Sequence, residues 1–452
     1  MKYSLCNNWE FTEIWSEDFC TGAPVPCQAV RLPHTCRELP LHYADPADYE
    51  MVCGYRRTLT LPDAPRLFLR FDGAAHQAAV YLNGQLVGEH LGGYTAFALE
   101  ITNFVHRDAE NLLAVRLDTR EDPALPPFGF VIDYLTYGGL YREVWLETTA
   151  ATRVTDLFVH TPTLTEAAVS VTTDAPEKAA VLRVSLYAPD GAALVGQQLP
   201  AAAKAECTLT LPDAKPWDTD HPNLYTCVVK TENDEESVPF GIRTLTWSAK
   251  TGLCVNGNTV KLRGGCIHHD NGILGACGFA NAEERRIRIM KKAGYNAVRC
   301  AHNPASRALL DACDRLGMYV MDEAFDGWYT PKTYHDYSRI FESAWREDLS
   351  AMIQKDYNHP SVVLYSIGNE VTETACEQGV QTAEQMTALA HTLDNTRPVT
   401  AGINVLLNVY NQKGIGVYKE TESYKPEPLP PKKQEEKKKE SGDLIGRCIQ
   451  SD

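Results

Sequence analysis

The sequence predicts three parts in a row: two β-sandwiches and then a parallel α/β domain. Three observations predict it. Short apolar runs broken by Gly and Pro turns fill the first half. Near residue 250 the hydrophobic period changes from alternation to helical spacing. From there to residue 402, strand-like and helix-like segments alternate, as in a parallel sheet covered by helices. The length of 452 residues leaves room for roughly two to four domains of ordinary size.

The first part, residues 1–148, reads as a sandwich or jelly roll. Arg66–Gly73 is an apolar run that ends at a turn. Asn83-Gly84 joins Ala79–Leu82 to Gln85–Gly88, a hairpin pattern because both turn residues must take positive φ. Asn111–Leu117 and Tyr141–Leu146 are further strands. In residues 149–247, Leu182, Val184 and Leu186 alternate with polar neighbours, and Cys207–Leu211 and Tyr225–Lys230 repeat the pattern. About a hundred residues of such strands fit an immunoglobulin-like sandwich. The third part, 248–452, opens with a strand at Val260–Ile267. A helix start capped at Asn281–Glu284 follows, with Ile287, Met290 and Ala293 on one face. Strands at Tyr295–Arg299, Met318–Asp322, Val362–Ile367 and Pro398–Gly402 alternate with helices at Ser306–Leu316, Glu347–Tyr357 and Glu384–Leu393. Val362–Ile367 is almost wholly apolar, as a strand buried on both faces should be. From about residue 420 the chain is rich in Pro and Lys and reads as a solvated tail. Glutamates interleaved with the lysines argue against a basic binding patch.

Composition narrows the function classes. The chain is 44% hydrophobic, 23% charged and 9% aromatic, with a net charge of −16. An acidic field repels phosphate backbones, so nucleic acid is excluded as a partner. No apolar run reaches the ~18 residues of a membrane span, and Met1–Glu10 lacks the apolar core of a signal peptide. None of the 14 cysteines forms a Cys-x-x-Cys pair. Cys266, Cys300 and Cys313 read as buried free thiols. With no Asn-x-Ser/Thr sequon present, a reducing, cytoplasmic location is expected. Neither a GxxxxGK[ST] loop nor an HExxH motif occurs.

Chemistry-bearing residues cluster just after the apolar strands, where α/β folds place their sites. His268-His269-Asp270 follows the first strand, Arg299–Pro304 the second, Asp322–Trp328 the third and Ser366–Glu370 the fourth. Glu370, with Asn369 beside it, is suited to be a general acid, since an apolar wall or a nearby negative charge raises a carboxyl pKa. Glycoside hydrolysis needs two such carboxyls. The histidine spacing fits no standard metal motif, and hydrogen bonding to a substrate or within the core suits it better. Trp328 reads equally as a platform for a sugar ring or as core.

The ordered series His302-Asn303-Pro304, Tyr319–Glu323, Asn358–Ser361 and Ser366–Glu370 resembles glycoside hydrolase family 2, the family of β-galactosidases, β-glucuronidases and β-mannosidases. Leu32–Thr35, Leu82-Asn83-Gly84, Gly92–Phe97 and Gly138–Leu146 resemble its sugar-binding jelly roll. Phe240–Arg243 resembles the exit of its immunoglobulin-like domain, and Val255–Asn258 with Lys261–Gly265 the lead-in to its TIM barrel. The resemblance covers residues 1 to about 405. It implies a retaining exo-β-glycosidase acting on a terminal β-linked sugar, most simply galactose, with β-glucuronide the alternative. Carried over by position, it makes Glu370 the acid/base and Asn369 the partner of a sugar hydroxyl. Arg299 would orient the nucleophile. His302, Asp322, Glu323 and Trp328 would line the pocket. The implied partner is a carbohydrate, with no membrane and with a homo-oligomer left open. No cofactor is implied beyond the magnesium or sodium that some relatives hold, for which no ligand set is readable here.

One expectation runs against activity. A full barrel takes eight strand–helix units and about 250 residues, and only five strands are visible after residue 250. The family's nucleophile is a Glu after the seventh strand, and no matching motif follows Glu370. Glu373 and Glu377 are too close to it in sequence, Glu384 falls in a helix, and Glu420 and Glu422 sit beside the Pro/Lys stretch. The chain is therefore expected to hold an incomplete barrel and to be inactive as it stands. It is either a piece of a longer enzyme or a non-catalytic carbohydrate-binding protein. An open parallel edge, which is an aggregation liability, favours the piece.

Overall fold

The structure is a computed structural model and describes residues 1–37, 50–120, 137–174, 177, 181–232, 234–330 and 337–413. Alternating strands build the first part into two antiparallel sheets. One has four strands, in the order Lys2–Ser4, Val144–Thr149, Arg66–Phe71, Phe97–Glu100. The other has six, with Val52–Thr60 and Glu110–Asp118 at its centre. The inward residues of both, among them Trp9, Phe11, Tyr55, Leu69, Phe71, Val80 and Val115, form one apolar core. The expected Asn-Gly hairpin is present, with φ of 54° at Asn83 and 77° at Gly84. The strand read at Tyr141–Leu146 begins later, at Val144.

The second part is a sandwich of three and four strands. Val154–Thr163, Glu166–Thr173 and Lys204–Thr210 face Ala193–Pro200, Val181–Tyr187, Tyr225–Lys230 and Glu235–Phe240. Leu182, Val184 and Leu186 are buried as their alternation required. A small three-stranded sheet, Leu245–Ser248, Gly252–Val255 and Asn258–Thr259, leads into the third part.

There, Gly264–Ile267, Ala297–Cys300, Tyr319–Glu323, Val362–Asn369 and Val399–Gly402 pair in parallel and in chain order. Sequential order is the mark of a barrel wall, since a doubly wound sheet reverses direction at its middle. Helices Ala280–Lys292, Arg307–Leu316, Ser338–Asp356 and Glu377–Leu393 cover the outside, and their apolar faces join the strands in a single core. Ser306 caps the second of these helices as a serine should, its Oγ accepting from Leu309 N at 3.2 Å.

Several local readings are corrected. The first parallel strand forms only from Gly264, where the backbones close up: a Cβ there would lie 2.1 Å from Ala297 O. Cys266, read as buried, is exposed because this strand is the sheet's edge, whereas Cys300 and Cys313 are buried. The helix read as capped at Asn281 starts at Ala280, after a Phe279 cap that makes no side-chain bond. The helices read from Glu347 and Glu384 start at Ser338 and Glu377, because Phe341, Trp345 and Val380 carry the buried stripe toward the N-terminus. The Pro/Lys stretch from about residue 420 lies outside the described residues. No helix among those described is long and apolar enough to cross a membrane.

The jelly roll meets the barrel at a cavity lined by Thr95 and by Asp348 of helix Ser338–Asp356, whose carboxyl accepts from the Tyr337 hydroxyl. Burial pushes the Asp348 carboxyl up to about 6. A carboxyl raised on folding favours the folded state fully only below its unfolded pKa, and the advantage is lost as pH rises through about 6. D348N should therefore gain about 2–4 °C in Tm over the parent above pH 7 and nothing near pH 4. A scanning-fluorimetry difference that stays flat from pH 4 to 8 would contradict this origin.

Candidate active site

The ends of three neighbouring strands, and the loop after the first of them, converge on one carboxylate. Glu323 closes the third strand with its side chain fully buried. Its Oε2 accepts from Arg299 Nε at 2.9 Å, from Arg299 Nη2 at 2.6 Å and from Ser366 Oγ at 2.6 Å. Its Oε1 lies 2.6 Å from His302 Nδ1. A carboxylate only accepts, so His302 carries a proton on Nδ1. Arg299 Nη2 reaches on to Asn369 Oδ1 at 2.9 Å, and Asn369 Nδ2 donates to Asp326 Oδ1 at 2.8 Å. The guanidinium passes Gly402 so closely that a Cβ there would lie 2.8 Å from Nη2. Glycine at the tip of the fifth strand is therefore needed for Arg299 to extend.

Glu370 follows directly and is half-exposed. Its backbone is in the left-handed region, φ 50°, and its N–H donates to Gly402 O at 2.6 Å. A non-glycine residue there costs about 1–3 kcal/mol and is typical of sites where a side chain must be aimed. Asn404 Nδ2 donates to Glu370 Oε1 at 3.0 Å. The same asparagine caps helix Val405–Gln412, its Oδ1 accepting from Leu406 N at 3.1 Å and Leu407 N at 3.2 Å.

The structure thus brings Arg299, His302, Glu323, Asn369 and Glu370 together. Asp322 and Trp328 are placed elsewhere, which corrects their reading as pocket residues. Successive strand side chains point to opposite faces, so Asp322 turns toward the helices when Glu323 turns inward. It is fully buried and accepts from Ala305 N at 3.2 Å, with the Asp356 carboxyl nearby. Burial, with the Asp356 carboxyl beside it, pushes Asp322 well above the usual carboxylate range. Trp328 is also fully buried: its Nε1 donates to Ile367 O at 2.8 Å and its ring stacks on Phe341. It offers no face to a sugar. His268 packs edge-on against His302, while His269 sits between Tyr94 and Tyr141 with its imidazole pulled down to about 3 by burial and by Arg142.

Three residues at the site went unassigned in the sequence: Asp326, Ser366 and Asn404. Asn404 had a legible cue, an asparagine just before the apolar run Val405-Leu406-Leu407, but a cap does not disclose where its amide group points. A separate cluster, Asp311, Asp314 and His359, holds ligand-type atoms within 4.8 Å of one another. It lies at the opposite end of the fourth strand from Glu370. Asp314 is satisfied there, accepting from Ser361 N at 3.0 Å and pairing with His359 Nδ1 at 2.6 Å, so the cluster ties a helix to a strand start.

Removing the Glu323 carboxylate would strand a guanidinium. Breaking a buried pair from one side costs about 3–5 kcal/mol. Urea unfolding of E323A should show a loss near the lower end of that range. A loss within the ~0–1 kcal/mol of an exposed pair would mean that solvent replaces this carboxylate freely.

With this geometry in hand, the likenesses to known proteins are specific. The model for "Glycosyl hydrolases family 2, TIM barrel domain" matches residues 249–444, the family's sugar binding domain matches 30–150, and its middle domain matches 152–243. A β-galactosidase of Bacteroides ovatus is 35% identical over 405 residues, covering 77% of this chain and 47% of that protein. A β-glucuronidase of Bacteroides fragilis is 29% identical over 431 residues, covering 88% and 60%. The crystal structure of a family 2 member from Bacteroides cellulosilyticus superposes with a TM-score of 0.81 at 34% identity, covering 89% of this chain and 56% of that one. The chain spans about half the length of the curated relatives it matches. Three consecutive domain matches in the family's order, on a fold with the same three parts, show that this chain belongs to glycosyl hydrolase family 2.

Proposed function

We propose that the chain carries the acid/base half of a retaining exo-β-glycosidase for terminal β-galactosides, with Glu370 as proton donor. One observation supports this above the others: a half-buried glutamate just past the tip of a parallel strand, aimed by a left-handed backbone and held at Oε1 by Asn404. In such a reaction Glu370 protonates the leaving glycosidic oxygen and later deprotonates the incoming water. Asn369, braced by Arg299 and Asp326, holds the sugar hydroxyl next to the reacting carbon in this reading. Retention needs a second carboxylate roughly 5 Å away as nucleophile. Glu323 is unsuited, being fully buried with both oxygens held by Arg299, Ser366 and His302. No nucleophile is assigned among the described residues.

Charge supports a neutral sugar. Asp326 lines a cavity at the seam of jelly roll and barrel together with Asp348, Asn303, Thr95, Phe325 and Tyr337. Two carboxyls facing one cavity disfavour a uronate by like-charge repulsion. The β-galactosidase names of similar proteins agree, while β-glucuronidase names at comparable identity keep the glucuronide as the second reading. A non-catalytic carbohydrate-binding role is the third, favoured by the unassigned nucleophile. A cytoplasmic location accompanies the proposal, since the described cysteines are all free thiols.

Chromogenic β-galactoside and β-glucuronide should separate these readings. Galactoside turnover that falls at least ~100-fold in E370Q, with the sugar still bound, is the expected result. Faster glucuronide turnover would reverse the substrate assignment. Binding with no turnover would favour the non-catalytic role, and turnover unaffected in E370Q would remove Glu370 from the reaction.

A further inference from the structure

We propose that Arg142, a jelly-roll residue, is a positioning residue for the barrel's sugar pocket, a role that rests on the glycosidase reading above. Arg142 is 4% exposed. Its Nη1 donates to Tyr94 O at 2.7 Å and, at 3.4 Å, to Asp72 O, and its Nη2 donates to Pro304 O at 2.9 Å. Tyr94 belongs to the jelly-roll loop Gly92–Thr95, whose Gly93 carbonyl also accepts from the Tyr141 hydroxyl. Pro304 belongs to the barrel loop Ala301–Ser306, which carries His302 and Asn303. Gly92, Tyr94, Thr95, Asn303 and Pro304 line one cavity with Asp326, the acceptor of the Asn369 amide. One guanidinium therefore spans the two walls of the pocket and sets their separation.

The planar fork is what the geometry requires. Two nitrogens of one rigid group donate to carbonyls on different domains; lysine keeps the charge but offers one nitrogen in place of this planar fork. The side chain is also held from behind: a Cβ at Gly73 would lie 2.7 Å from its Cδ. The barrel loop has a second, independent tether beyond Pro304, where Lys355 Nζ donates to Ala305 O at 2.8 Å and Asp322 receives Ala305 N. Loss of Arg142 should thus loosen the His302–Pro304 side of the loop without releasing it from the barrel.

The test compares the full chain with R142K, R142M and Y141F. Two readouts are used: amide hydrogen exchange of the segments 92–95 and 301–306, and calorimetric binding of phenyl β-D-galactoside. Both Arg142 variants should exchange at least tenfold faster in 301–306 and bind the probe at least fivefold more weakly, with no rescue by lysine. Exchange in strand Tyr225–Lys230 should stay unchanged and so exclude global loosening. Y141F should accelerate only 92–95. If R142M does not fold, R142K decides alone, because it keeps the charge. Exchange in 301–306 within twofold of the parent would overturn the proposal, as would full binding by R142K. A parent chain that fails to bind the probe counts against the glycosidase reading, and the exchange data still judge Arg142.

Discussion

The site depends on a single buried carboxylate, Glu323. Placing a charge at a strand tip out of solvent is costly unless donors surround it. Here they come from three places: Arg299 on the second strand, Ser366 on the fourth, and His302 on the loop after the second. In a medium of low dielectric such a network is stiff, because moving any one donor exposes the charge to an unpaired state. The consequence passes outward. Arg299 is fixed by Glu323, Asn369 is fixed by Arg299, and Glu370 is the next residue along the chain. The carboxyl proposed as the acid is therefore located by one that is buried.

The β domains complete this arrangement from both ends of the sheet. At the strand starts, Arg243 from the second sandwich donates to Pro360 O at 2.6 Å and to Val362 O at 2.8 Å. Arg397 donates to the same Val362 carbonyl, and also to Tyr357 O and His359 O. Trp217 Nε1 donates to Asp314 O at 3.0 Å. Two buried guanidiniums so close together are mutually unfavourable, and the Arg397–Asp394 pair supplies the compensating charge. The loop Asn358–Val362 is thereby locked, and it launches the strand Val362–Asn369, which Glu370 directly follows. At the other end, the jelly roll reaches the substrate side through Arg142. The starts of the parallel strands and the loops at their ends are thus each gripped by a different β domain.

Much of this was legible in the residues, and the failures have a common cause. Period and turn chemistry located both sandwiches and all five parallel strands, because alternation and Asn-Gly turns are local properties. The strand-end rule pointed to Arg299, His302, Glu323, Asn369 and Glu370. It could not say which face of its strand each occupies: Asp322 and Glu323 are adjacent and equally acidic, yet one turns toward the helices and the other toward the site. Trp328 illustrates the same limit, since an indole is equally fit for a sugar or for a core until its Nε1 partner is known. The arginine grips were invisible for a further reason. Their acceptors are main-chain carbonyls of distant loops, and every residue has one, so no side-chain pattern marks them.

Glu323 and Glu370 show how one residue type takes two roles at neighbouring strand ends. Glu323 is closed in, with donors on both oxygens and no exposed surface. Such a group cannot hand a proton to a bound sugar without breaking the network that locates the pocket. Glu370 is half-buried on a left-handed backbone, its Oε1 steadied by a neutral amide. The amide fixes the direction in which the carboxyl points, as the proposed proton transfer to a sugar oxygen requires. The partners, rather than the carboxyls themselves, therefore set the two glutamates apart. Arg299 pairs with the buried Glu323 and reaches on to Asn369, the residue before Glu370, so the same guanidinium that neutralises the scaffold carboxylate also sets the strand end from which Glu370 projects.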